Sequence, residues 1–188
     1  MTYSLNTLNA SAAAKSPPRT GAARFGHEIA LVVGLLALVF WLLALVSYSA
    51  QDAAWSTSGA RDVRSVANWA GRFGAWLADG SYFALGFSVW WCVAAGVRAW
   101  LSSLARWMRG GEVVAGAASP LVRRATFWGG LVLLMCSSTA LEWSRLYRFE
   151  TFLPGHAGGV LGYVVGPASV KWLGFTGSGL LAIVLAVA

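Results

Sequence analysis

The chain has 188 residues, of which 57% are hydrophobic and only 11% charged. Soluble domains carry about 25% charged residues, so this composition, with a mean hydropathy of +0.62, excludes an ordinary soluble fold. The net charge of +7 comes from 14 Lys and Arg against 7 acids. In a chain this apolar the excess is read as arginine flanks of membrane spans and attraction to anionic lipid, not as a nucleic-acid footprint. Eleven Trp and five Tyr suit belts of amphipathic rings at the lipid–water boundary.

Residues 1–24 are rich in Ser, Ala and Thr, with Lys15, Arg19 and Arg24 among them. Such a segment cannot bury a core and is expected to be a disordered basic cytoplasmic arm. Residues 25–188 then form one membrane domain. Ile29 to Tyr48 is an uncharged apolar run of the length needed to cross the hydrocarbon core, roughly 20 residues. It is too long for the apolar region of a signal peptide, about 7–15 residues, and is expected to be retained as span 1, about 28–48.

Residues 49–80 are a polar loop. Its first half has turn chemistry in Gln51, Asp52, Ser56, Thr57, Ser58 and Gly59. Its second half has helical spacing, with Val66, Trp69, Ala70, Phe73, Trp76 and Leu77 on one side. Arg61, Ser65, Asn68, Arg72 and Asp79 take the other. A helix of this kind lies in the interface, with its aromatic face in lipid or against the spans. Amphipathicity alone leaves two roles open, a cover for the outer end of the bundle or a face for partners. Asp52 and Asp79 read as loop carboxylates, solvated or capping.

Span 2 is expected at about 82–101, with Arg98 near its far end and its head reaching the headgroups. Ser119-Pro120 reads as an N-cap followed by the first helical position. Arg123 and Arg124 then anchor span 3, about 122–141. Cys92 and Cys136 fall inside spans and read as inert packed thiols. A charged stretch follows, Glu142 to Glu150. Beyond it, Gly158, Gly162 and Gly166 are spaced by four and form one flat helical stripe. The stripe suits contact with another helix or subunit, or tight packing within the bundle. The segment 155–166 reads as a short helix at the outer boundary, limited by Pro167. Span 4 is expected at about 171–188. It reaches the last residue without a polar flank, as in a fragment of something longer.

Counting Lys and Arg in the loops favours the N-terminus inside: eight fall on inner segments and six on outer ones. No phosphate-cradling G-x-x-x-x-G-K-[ST], no G-x-S-x-G and no H-E-x-x-H occurs. His27 and His156 are isolated, near the boundaries, and read as surface or capping residues.

Three segments together resemble a known family. They are Ser47-Tyr48-Ser49-Ala50-Gln51-Asp52-Ala53-Ala54-Trp55-Ser56, Gly71-Arg72-Phe73-Gly74-Ala75-Trp76-Leu77-Ala78-Asp79 and Gly155-His156-Ala157-Gly158-Gly159-Val160-Leu161-Gly162. In this order, with this span count, the chain from about residue 25 to 188 is similar to the N-terminal four-span membrane domain of FtsK/SpoIIIE-type bacterial DNA translocases. It departs from the family's pattern at Glu142 to Phe152, which is more charged and bears on where span 3 ends. The resemblance implies a bacterial inner-membrane, multi-pass protein of the division septum with its N-terminus in the cytoplasm. Family members continue into a hexameric ATP-driven motor that moves DNA. ATP and Mg are expected only for that motor, which is absent from these residues.

The reading is therefore an all-α membrane protein with four transmembrane helices and interfacial helical segments on the outer side. It is expected to serve as membrane anchor and septal targeting scaffold of a DNA translocase in cell division and chromosome segregation. No catalytic, cofactor-binding or metal residues are expected. The candidate interaction or packing residues are Asp52, Trp55, Trp69, Arg72, Phe73, Trp76, Gly158, Gly162 and Gly166. The expected partners are membrane lipid, other division proteins and further copies of the full-length chain, with no direct nucleic-acid contact. The alternatives are a stand-alone small channel or transporter subunit, which would need a polar stripe through the spans, and a small enzyme using Asp52, Asp79 or His156.

Overall fold

A computed structural model describes residues 21–56, 66–109 and 120–187. The expected disordered arm therefore lies outside the described residues up to position 20. From Gly21 the chain is already helical. Five helices follow: α1 (Gly21–Val46), α2 (Gly71–Leu85), α3 (Val89–Met108), α4 (Pro120–Arg145) and α5 (Gly159–Val187). Two 3₁₀ turns, Gly86–Ser88 and Tyr147–Phe152, join α2 to α3 and follow α4. Four helical stretches are long and apolar enough to cross a membrane: Arg24–Val46, Gly71–Met108, Leu121–Arg145 and Gly159–Val187. The protein is an all-α membrane protein. Large side chains such as Val33, Leu36, Trp128, Val132 and Ile183 point outward, which is the arrangement a lipid solvent favours.

Helices α1 and α3 pair in opposite directions. Trp107 Nε1 donates to Glu28 Oε1 at 3.3 Å and Trp100 Nε1 to the Leu31 carbonyl at 2.9 Å. Higher up, Gly96 meets Leu38, and Val89 and Val93 join Ala44 and Leu45 in the core cluster. Small residues at 34 and 96 let the two backbones approach, as membrane helix pairs require.

Helix α2 does not continue this pairing. Phe73 reaches Phe40 (5.8 Å between ring centroids), Ser81 accepts from Trp41 Nε1 at 3.2 Å, and Tyr82 donates to the Leu45 carbonyl at 3.2 Å. About 14 Å of α2 thus meets only about 8 Å of α1, so α2 crosses the end of α1 instead of running beside it. The helix expected in the interface is present. The break between it and the span falls at Gly86, inside the segment expected to be continuous. Gly86 has φ +59°, a left-handed conformation that ends a right-handed helix and suits glycine. The span proper is α3, seven residues further along than the sequence spacing indicates at both ends.

Helices α4 and α5 form the closest pair. Gly158 and Gly162 sit on the Thr139 carbonyl, and Gly166 on the Trp143 ring. Moving four residues along α5 moves four along α4, so the start of α5 runs in the direction of α4. The chain must therefore step back from Arg145 to the level of Thr139 before α5 begins. Pro167 does not limit the helix as expected. Its fixed φ is helical and it forfeits one backbone bond, and the helix runs through it. The break comes at Gly174, with φ 68° and ψ 174°, a region that only glycine enters readily. The Arg145 guanidinium holds this break, donating to the Phe175 carbonyl at 2.7 Å and lying 3.8 Å from the Phe175 ring centroid.

Two glycines of the α4–α5 region should respond oppositely to substitution. A Cβ on Gly162 would stand 2.7 Å from the Thr139 oxygen, whereas one on Gly129 meets nothing within 4 Å. Gly162→Val is expected to lower stability in detergent by about 1–3 kcal/mol. Gly129→Ala should leave it unchanged or raise it by up to about 1 kcal/mol. Thermal unfolding followed by circular dichroism measures both.

Candidate functional site

The C-terminal end of α1 leaves backbone carbonyls without helical partners. The loop that follows returns to satisfy them. The Ser47 hydroxyl donates to the Leu43 carbonyl at 2.6 Å, Asn68 Nδ2 to Ala44 at 2.8 Å, and the Tyr82 hydroxyl to Leu45. Asp52 holds the returning chain in place. It is 1% exposed and accepts from the Ala67 and Asn68 amides at 2.9 and 3.0 Å. Trp69 N–H closes the turn on Ser47 Oγ at 2.9 Å, and Ala70 N–H on Asn68 Oδ1 at 2.9 Å.

Asp79 makes a second staple of the same kind. It is fully buried on α2 and accepts from the Ser56 amide at 2.8 Å and the Ser56 hydroxyl at 2.7 Å. This places Trp55 edge-on to Phe83, with 4.8 Å between centroids. Of the two roles expected for these aspartates, solvated or capping, the structure shows the second: both are buried and accept backbone amides of the loop. A carboxylate withdrawn from water needs charge-assisted hydrogen bonds, and each finds two in the folded loop. Asp79 also lies on the buried face of α2, with Gly74, Ala75, Ala78 and Tyr82. Of the two positions left open for the aromatic face, in lipid or against the spans, it takes the outward one; on the polar side Asn68 and Asp79 are buried while Arg72 is exposed. Small residues and one acid face the bundle, while Trp69 and Phe73, each 72% exposed, and Trp76 face outward. Trp55 and Arg72 are exposed as well.

A third buried acid escaped the sequence reading. Glu142, taken there as the start of a charged flank, belongs to α4 and is 4% exposed. Its carboxyl group accepts from the Phe87 amide at 2.8 Å and closely from the Ser88 hydroxyl. The Ser88 and Ser138 hydroxyls are 2.7 Å apart, and Trp91 Nε1 donates to Ser138. The backbone amides of Phe87 and Ser88, both hydrogen-bonded to this carboxyl group, are donors that the break between α2 and α3 leaves free. An acidic side chain there also faces the positive end of the α3 dipole. The junction leaves no room: a Cβ on Gly86 would lie 2.6 Å from Glu142 Oε2 and 2.7 Å from Gly158 Cα. The available sequence signal was Gly86-Phe87-Ser88 interrupting an apolar run, which calls for an acceptor from another helix.

The glycine stripe Gly158, Gly162 and Gly166 faces α4 of the same chain. His156 pairs with Glu150 at 2.8 Å and stacks on Tyr163, 5.2 Å between centroids. The hydrogen bonds of His156, Asp52 and Asp79 join them to different partners and form no acid–base pair among themselves. Among the described residues no cluster of His, Cys, Asp and Glu could hold a metal ion.

The segments singled out in the sequence supply Asp52, Ser56, Asp79 and Gly158 to these junctions, whereas Asn68, Gly86–Ser88 and Glu142 lie outside them. Residues 23–188 match the family described as the 4TM region of DNA translocase FtsK/SpoIIIE. The chain belongs to this family. It is 35% identical over 170 residues to DNA translocase FtsK 2 of Ralstonia nicotianae, covering 90% of this chain and 21% of that protein. It is 31% identical over 173 residues to DNA translocase FtsK 1 of Neisseria meningitidis serogroup A, covering 88% and 20%. DNA translocase FtsK of Pseudomonas syringae pv. syringae is 31% identical over 162 residues, covering 84% and 19%. The chain thus spans about a fifth of the length of these relatives. No solved structure matches it.

In this FtsK-type domain the staples make a fixed platform out of loop segments at one end of the bundle. Asp52→Ala or Asp79→Ala leaves buried amide donors without an acceptor, at a cost of about 1–3 kcal/mol. Asp79→Ala, which frees Ser56, should also speed maleimide labelling of a cysteine placed at Trp55. Asp52→Ala should change that labelling much less.

Proposed function

We propose that this chain is the membrane anchor and septal targeting scaffold of a DNA translocase acting in cell division and chromosome segregation. The observation that carries the reading is the match of nearly the whole chain to the 4TM region of proteins about five times its length. In this reading ATP, Mg and DNA are handled by the parts of those proteins outside the matched fifth. The spans lie in the bacterial inner membrane with the N-terminus cytoplasmic, and four packed helices resist extraction under the pull of a working motor. The outer platform presents Trp55, Trp69, Phe73 and Trp76 to other division proteins. Large aromatic side chains held on a rigid support are the usual anchors of such interfaces. Further copies of the full-length protein assemble through the motor.

A fluorescent fusion of residues 1–188 tests this in dividing cells. The fusion is expected to concentrate at the septum. The triple substitution Trp69→Ala, Phe73→Ala, Trp76→Ala is expected to lower the septal fraction at least threefold while the protein stays in the membrane. Uniform membrane fluorescence of the parent chain would overturn the targeting role. An unchanged septal fraction in the variant would remove these side chains from it.

A further inference from the structure

At the end of the bundle opposite the platform, α3 and α4 part. They meet near Ser88 and Ser138 and again at Cys92 and Met135, whose sulfurs are 3.6 Å apart. Below that level they enclose a cleft of about 620 Å³. Its walls are apolar, with Ala94, Ala95, Phe127, Leu131 and Leu134 among them, and Arg98 and Arg123 line it as well.

The position of Arg98 makes the cleft more than a packing defect. His27 lies against Ser103, and Glu28 against Trp107, near the ends of α1 and α3. Arg98 is five residues inward from Ser103, about 7 Å along the helix. It therefore lies inward of the ends of α1 and α3, with its guanidinium 5.6 Å from the Phe127 ring centroid. A charge at that depth is costly unless it meets a counter-charge or water. Among the described residues neither Arg98 nor Arg123 forms an ion pair. Glu28, the described acid at this end, is paired with Arg24 at 3.5 Å. Asp52, Asp79, Glu142 and Glu150 are engaged at the other end.

We propose that the cleft between α3 and α4 binds one anionic phospholipid, its phosphate on Arg98 and Arg123 and its acyl chains along Ala94, Ala95, Phe127, Leu131 and Leu134. An apolar channel opening to the bilayer suits the chains, and two cations at its mouth suit the headgroup. A guanidinium takes a phosphate through two parallel hydrogen bonds, which an ammonium cannot. A zwitterionic lipid would bring its own cation against the arginines.

Native mass spectrometry of the 188-residue chain with phosphatidylglycerol or phosphatidylcholine provides the test. Phosphatidylglycerol is expected to bind at least tenfold tighter. Arg98→Gln with Arg123→Gln should weaken it at least fivefold, whereas Arg109→Gln, which removes a charge outside the cleft, should change it less than twofold. Gly130→Leu offers an independent arm, because Gly130 lines the cleft and a Cβ there meets nothing within 4 Å. It should displace the lipid while the helical circular dichroism stays the same. Equal binding of the two lipids would overturn the proposal. So would undiminished binding in the double arginine variant, or a dimer dispersed by Gly130→Leu, which would mean that a second copy fills the cleft.

Discussion

A helix that breaks within or beside a membrane exposes amide donors that lipid cannot satisfy. At Gly86–Ser88 this chain has such a break, and the Glu142 carboxyl group from α4 fills it. Much of the fold depends on that contact. It lets α2 turn away across α1 while α3 continues into the bilayer. It ties α4 to both, and Gly158 closes over it so that α5 can start. Hydrogen bonds to a charged group are worth about 1.5–3 kcal/mol each, and here one side chain serves three elements. An apolar residue at 142 would leave the Phe87 and Ser88 donors with nothing to replace water.

The loop end of the bundle repeats the same solution twice. Asp52 and Asp79 each hold a loop by its backbone amides, so segments without regular structure acquire fixed positions. The consequence is a platform whose aromatic side chains are displayed and not consumed by the core. Trp69, Phe73 and Trp76 can face outward because Gly74, Ala75 and Ala78 allow α2 to lie close on its other side. A fixed platform on a base of membrane-spanning helices is the arrangement on which the proposed anchoring role rests.

The four spans were legible because an apolar run of membrane length has few other uses. The aromatic face of α2 followed from helical spacing, though not the side to which it turns, and the stripe at 158, 162 and 166 from the four-residue glycine repeat. The acids were not legible. Their partners are backbone amides, which every residue but proline carries, so nothing in the sequence marks which loop will fold onto Asp52, Asp79 or Glu142. Glu142 was further hidden by its neighbours, since a Glu next to Arg145 and Arg148 reads as a solvated flank. Pro167 and Gly174 show the limit of reading breaks from residue type. Proline's φ is compatible with a helix, and glycine's freedom becomes a break at Gly174, beside which Arg145 packs on Phe175.

The most direct test of the account is amide hydrogen exchange of Phe87 and Ser88 in the chain and in Glu142→Ala. With Glu142 as the acceptor at the break, both amides exchange slowly in the parent chain. In the variant they exchange at least a hundredfold faster, together with the Gly158–Gly159 amides, while the middle of α1 stays protected. Equal exchange at Phe87 and Ser88 in the two proteins would contradict the account, because the break would then be held by something other than this carboxyl group.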